Sequence, residues 1–195
     1  MPDWLIVIYK VPSEPSRYRA SIWRKLKASG AIYLQNGVAA LPVTSVNERV
    51  MRGVVQEVRE VDGTAYLIRG GMLGDEMALE AAFSAARDEE YQEVLSRCHD
   101  FHAELDAERS RKNFTFAELE ENEEDFAKLE RWLAKVKNRD HFCATRRAQA
   151  ERAVAACRDD LDAFADSVYR AVDHGSAGPD VDDVEIGSSI AGRNS

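Results

Sequence analysis

A chain of 195 residues, 45% hydrophobic and 31% charged, can fill one good core or two small ones and is too apolar to stay unfolded. Its apolar runs fall far short of the roughly 20 residues that cross a bilayer, and no basic segment precedes an apolar stretch at the start, so the expected location is the cytoplasm. The net charge of −9 is uneven, at +4 over residues 1–71, −10 over 72–173 and −3 over 174–195, which points to two modules with different partners.

Residues 4–9 form a nearly unbroken apolar run, the pattern of a strand buried on both faces. Pro12 and Pro15 then interrupt the chain, Ser16 is placed to cap a helix running to Ser29, and Gly30 is its stop. Two short strands, 31–34 and 38–41, flank Asn36-Gly37, a pair that tolerates the positive φ of a tight hairpin. Thr44 or Ser45 caps a second helix with Val46, Val50, Val54 (or Val55) and Val58 at helical spacing, and Asp62-Gly63 precedes a last strand over 64–68. The order βαββαβ predicts a ferredoxin-like domain over 1–71.

From Gly70-Gly71 onward the periodicity becomes that of long helices. Leu79, Phe83, Ala86, Tyr91, Leu95 (or Val94), Cys98, Phe101 and Leu105 make one stripe, closed by basic residues up to Asn113. Thr115 and Glu118 form a capping box, with Phe114 and Leu119 in staple positions, for a helix carrying Phe126, Leu129, Trp132, Leu133 and Val136. A third helix carries Val154, Cys157, Leu161, Phe164 and Val168. Three such helices over 72–173 predict an antiparallel bundle, and the Gly-, Ser- and Asp-rich stretch 174–195 reads as a disordered acidic tail. The expected class is therefore α+β.

The densest cationic feature is the first helix, with Arg17, Arg19, Arg24, Lys25 and Lys27. Arg17, Arg24 and Lys27 share a face, while Tyr18, Ile22 and Leu26 form the buried stripe and Trp23 borders it. In so acidic a chain a clustered set of cations has phosphate contact as its simplest use, against the plainer reading of a solvated helix face. Cys98, His102, His141 and Cys143 have ligand chemistry that zinc accepts, but three cysteines without a Cys-x-x-Cys pair read better as apolar packing, and no metal is expected. The acidic run from Glu118 to Asp125 reads as a solvated first turn. No phosphate-cradling glycine loop or nucleophile elbow is present, so neither a cofactor nor catalysis is expected.

Several stretches resemble the N-terminal region of the ChrB family of chromate-resistance regulators. They are Trp4 to Pro12, Glu14-Pro15-Ser16-Arg17-Tyr18-Arg19, Ile22-Trp23-Arg24-Lys25-Leu26-Lys27, Tyr33-Leu34-Gln35-Asn36-Gly37-Val38, Arg87-Asp88-Glu89-Glu90-Tyr91 and Phe114 to Asp125. The resemblance spans about residues 4–172 and implies a cytoplasmic bacterial transcription regulator that binds double-stranded DNA, as a homodimer, at a chromate-efflux promoter. Chromate response is expected if it does not need the further C-terminal domain of the family's regulators. The alternative is a non-catalytic interaction or dimerisation module using the sheet edge. The first domain is also similar in strand order to PaaX-type repressors and to the small CRISPR adaptation nucleases, whose metal-binding Asp at the end of strand one is missing from Tyr9-Lys10-Val11 here. A tetrahedral dianion such as chromate needs cationic donors, and Arg139, Arg146 and Arg147 around a turn are the candidates, with Cys143 as an exposed thiol it could oxidise. The plainer reading pairs those arginines with neighbouring acidic helices.

Overall fold

The computed structural model describes residues 3–176. Its elements in chain order are β1 (Trp4–Lys10), α1 (Arg17–Ser29), β2 (Ile32–Gln35), β3 (Val38–Pro42), α2 (Ser45–Glu60), β4 (Thr64–Gly70), α3 (Glu76–Arg111), α4 (Phe116–Arg139) and α5 (Arg147–Ser176). The sheet runs β2-β3-β1-β4 with every neighbouring pair antiparallel, the split-βαβ arrangement of a ferredoxin-like fold. The class is α+β, with three long helices packed on one another after the sheet.

Local chemistry accounts for most of these boundaries. Gly30 takes φ +81° after α1 and its N–H reaches the Leu26 and Lys27 carbonyls, the closing turn that only glycine enters without strain. Gly37 supplies the second positive φ, +76°, in the β2–β3 hairpin. The Thr44 hydroxyl accepts from the Asn47 N–H and that of Thr115 from the Glu118 N–H, so both helices start on a side-chain cap. Ser16 does not cap α1 in this way, because its backbone is already helical. At the end of α3 it is Lys112, not Asn113, that turns left-handed, with φ +56°.

The burial pattern corrects three expectations. β1 is enclosed on both faces only at Trp4, Leu5 and Val7, since Ile8 is 39% exposed. In α2 the buried stripe is Asn47, Met51, Val54, Val55 and Val58, which leaves Val46 on the solvent side. In α3 the stripe steps from Phe83 to Arg87 to Tyr91, so a buried arginine stands where Ala86 was expected. The helix α5 also continues through Ser176, past the expected start of the tail at 174, and the rest of that tail lies outside the described residues.

Two apolar clusters result. One joins Leu5, Val7, Ala39 and Leu41 of the sheet to Ile22 and Leu26 of α1 and to Met51, Val54 and Val58 of α2. It also takes in Leu79 and Phe83 from the start of α3, where the Trp4 ring stacks on Phe83 at 5.5 Å and lies 5.8 Å from Phe142. The other fills the bundle from Tyr91 to Val168. Between them lies a polar junction. Arg87 donates to the Gly30 carbonyl at 3.3 Å and to Glu90 at 2.8 Å, and Arg139 donates to the other Glu90 oxygen. Two guanidinium groups thus share one carboxylate, and the Nε atoms of both are buried without a partner.

Candidate nucleic-acid interface

At 3.6 residues per turn, α1 divides cleanly. Ile22 and Leu26 are buried, and Tyr18 is half-buried beside them. The exposed arc runs from Arg17 through Arg24, Lys27 and Trp23 to Arg19, which borders the buried Leu26. Sequence reading put Arg17, Arg24 and Lys27 together; the folded helix adds Arg19 and Trp23 to the same surface. Trp23 is 48% exposed, and the Lys27 ammonium sits over its ring at 5.0 Å. Arg17 lies over Tyr18 at 5.1 Å, and Arg19 donates to the Ser13 carbonyl at 3.0 Å. Among the described residues no carboxylate pairs with Arg17, Arg19, Arg24 or Lys27. Lys25 stands apart, pointing to α2 and bridging Glu57 at 2.5 Å, while Ser21 donates to the same carboxylate at 2.6 Å. The Lys25 and Ser21 hydrogen bonds hold the Glu57 carboxyl below its ordinary range against the effect of burial.

An open groove flanks this face, lined by Tyr9, Lys10, Arg19, Trp23, Tyr33 and Asn36. Its floor is a tyrosine pair whose hydroxyls are 3.0 Å apart, and burial, with Tyr9 beside it, pushes the Tyr33 phenol well up. The groove therefore offers hydrogen-bonding hydroxyls, an indole platform and one further cation, Lys10, beside the Arg19 of the arc. Tyr9 and Tyr33 were legible as strand residues only, and Lys10, which the structure adds to β1, as the residue after the strand; their place here depends on where β1 and β2 end relative to α1.

The second predicted set is built differently. Arg139 is spent on Glu90, and Arg147 lies 3.6 Å from Asp140 and 3.4 Å from Glu151. The Asp140 carboxylate also accepts from Tyr91 at 3.1 Å and from the Ala144 N–H. Arg146 uses its backbone N–H on Asp88 at 2.7 Å and keeps an exposed side chain, next to the exposed Cys143. This turn is thus held together by carboxylate pairing of the plainer kind. Cys98 and His102 face α5, whereas His141 contacts Asn47 at 3.3 Å, so the four residues weighed for zinc are not brought together.

Comparison with protein families finds that the one described as Protein ChrB, N-terminal matches residues 19–175. The chain belongs to the ChrB N-terminal family. The match takes in Arg19, Arg24 and Lys27 of the cationic face and the whole bundle, and starts after Arg17. No curated protein and no solved structure matches. No helix among the described residues is long and apolar enough to cross a membrane.

Proposed function

We propose that this ChrB N-terminal chain is a non-catalytic, DNA-binding regulator of a chromate-resistance operon in the bacterial cytoplasm, and that α1 is its phosphate-contacting element. The observation carrying this reading is the unpaired cationic arc of Arg17, Arg19, Arg24 and Lys27 in a protein of net charge −9. Phosphate contact releases counterions from the duplex and so gives affinity that falls with salt. Trp23 and the tyrosine groove add a surface for a sugar or base beside the phosphates. The acidic bundle is repelled by the same polyanion, which leaves α1 and its groove as the favoured contact.

The test is an electrophoretic shift with DNA from upstream of the chain's own coding region, over a series of salt concentrations. Replacing Arg17, Arg24 and Lys27 together with Ala is expected to weaken binding to all sequences and to reduce the salt slope by about 3, near one per lost phosphate contact. An unchanged slope in a folded triple variant removes α1 from the interface. A chromate arm, with sulfate as the isosteric control, reads the effector response: release by chromate alone points to oxidation, and equal release by both points to recognition of charge and shape.

A second reading, self-association, is favoured by the outer face of the sheet. Cross-strand neighbours Ile8 and Tyr66, and Ile6 and Ile68, lie on the face opposite Leu5 and Val7. Ile8, Tyr66 and Ile68 are exposed there, while Phe83 and Phe142 cover only the Trp4 end. A mainly apolar face of this kind, with Lys10 at its end, suits a second copy of a strongly acidic chain, because it keeps the acidic bundles out of the contact. Sedimentation equilibrium is expected to show dimers that Ile68→Lys dissociates.

A further inference from the structure

The bundle carries a second constellation that DNA binding does not use. Helix α3 supplies Cys98, His102 and Arg109, and α5 supplies Cys157 and Asp160. The Cys157 sulfur is fully buried, 3.5 Å from His102 Nε2 and 3.7 Å from the Cys98 carbonyl oxygen. On the other side of the ring, His102 Nδ1 lies 2.6 Å from Asp160 Oδ2, and Arg109 Nη2 donates to Asp160 Oδ1 at 2.6 Å.

This is the chain of contacts that takes a proton from a thiol. A base touches the sulfur, a carboxylate orients the ring so that Nε2 faces the thiol, and a guanidinium fixes the carboxylate. Burial alone would raise the Asp160 carboxyl, yet Arg109 and His102 hold it below its ordinary range, so it stays charged to stabilise an imidazolium. Contact between the two thiols, followed by burial, pushes the Cys157 thiol up, and the same contact lowers that of Cys98, so the sulfurs act on each other as one site. A cysteine that served only as a small hydrophobe would have no use for an imidazole on its sulfur. The His102 side chain is 37% exposed, which places the sulfur one side chain from water. Among the described residues no three Cys, His, Asp or Glu side chains are grouped to hold a metal ion, so the pair is read as thiol chemistry.

We propose that Cys157 and Cys98 form an oxidation site for hydroperoxide-class oxidants, with His102 as proton acceptor and Asp160 and Arg109 as positioning residues. His102 Nε2 takes the Cys157 proton, the sulfur attacks one peroxide oxygen, the O–O bond breaks, and the departing hydroxide leaves as water with the proton from His102. The Cys98 sulfur then attacks the Cys157 sulfenic acid. The S–S bond forms, the S–O bond breaks, and hydroxide departs with the Cys98 proton as a second water. Two thiols lose two electrons and two protons, and one hydrogen peroxide becomes two waters. The product ties α3 covalently to α5.

The experiment uses the full chain with Cys143→Ser, which removes the exposed thiol. It is treated with hydrogen peroxide under native conditions, denatured in N-ethylmaleimide and mapped by mass spectrometry. The expected result is a linked Cys98–Cys157 peptide, with His102→Gln slowing its formation by about 10²-fold, the lower range for a lost general base. Recovery of both cysteines as the alkylated thiols overturns the proposal. So does an unchanged linking rate in a His102→Gln chain that keeps its helical circular dichroism. Should that variant fail to fold, Asp160→Asn gives the same comparison, and an unchanged rate there is equally decisive.

Discussion

Gly30 and Gly53 are both glycines in the first half of the chain, and their surroundings give them opposite roles. A Cβ on Gly30 would meet Arg87 Nη1 at 2.7 Å and Arg139 Cβ at 2.9 Å, in a backbone held at φ +81°. The left-handed conformation alone costs a side chain about 1–2 kcal/mol, so Gly30→Ala is expected to lose about 2 kcal/mol or more, read from urea unfolding. Gly53 sits inside α2 with nothing within 4 Å of the added carbon, and Gly53→Ala is expected to gain about 0.5–1 kcal/mol in the same measurement. The stop at Gly30 was legible in the sequence, since a glycine after an amphipathic run is a local signal. Its closeness to Arg87 and Arg139 was not, because it depends on where two later helices dock. Cys157 shows the same limit. Its place on the α5 stripe marked it as packing, and only the register between α3 and α5 reveals His102 on its sulfur.

Among the elements, the hairpin and the Thr44 and Thr115 caps came out as read, the Ser16 cap did not, and the features set by docking shifted. The hairpin around Asn36-Gly37 and the cap at Thr115 are local, and both are present. The α2 stripe rotated because the sheet lies on the side of Met51 and Val55, which puts Val46 at 62% exposure. Phe114 packs against the bundle cluster that contains Leu119 and lies 5.9 Å from the Phe164 ring, while Phe116 meets Tyr169 at 5.5 Å. The turn between α3 and α4 is therefore pinned against α5 as well as capped. Thr115→Ala removes only the cap, and it is expected to cost about 1 kcal/mol with the fold intact. A thermal melt resolves this, and a midpoint equal to the parent's contradicts the cap's contribution.

Over the whole molecule, the basic sheet layer and the acidic bundle meet through aromatic stacking and charged groups, and acid acts on that junction. His141 sits there, accepting from the Asn47 side chain at 3.3 Å, while Asn47 also donates to the Pro42 carbonyl at 2.9 Å. Burial, followed by the nearby Arg87 charge, lowers the His141 pKa from 6.5, with Asp140 opposing. A ring that accepts from an amide must be neutral, so the geometry and the direction of the shift agree. The sign follows from linkage. In the interval below pH 6.5 the unfolded chain takes up a proton at this position that the folded chain refuses, so unfolding is favoured as pH falls. Stability from His141 is full above about pH 6.5 and declines through the window beneath it. The carboxylates Glu57, Glu151 and Asp160, held low by Lys25, Lys137 and Arg109, lose their contribution in a more acidic range, so they do not mask this step. His141→Gln keeps a polar group for Asn47 and removes the titration. Its melting midpoint is expected to stay flat from pH 7 to about 5.5 while the parent's falls, and parallel curves for the two proteins would show that the junction does not sense acid through this ring.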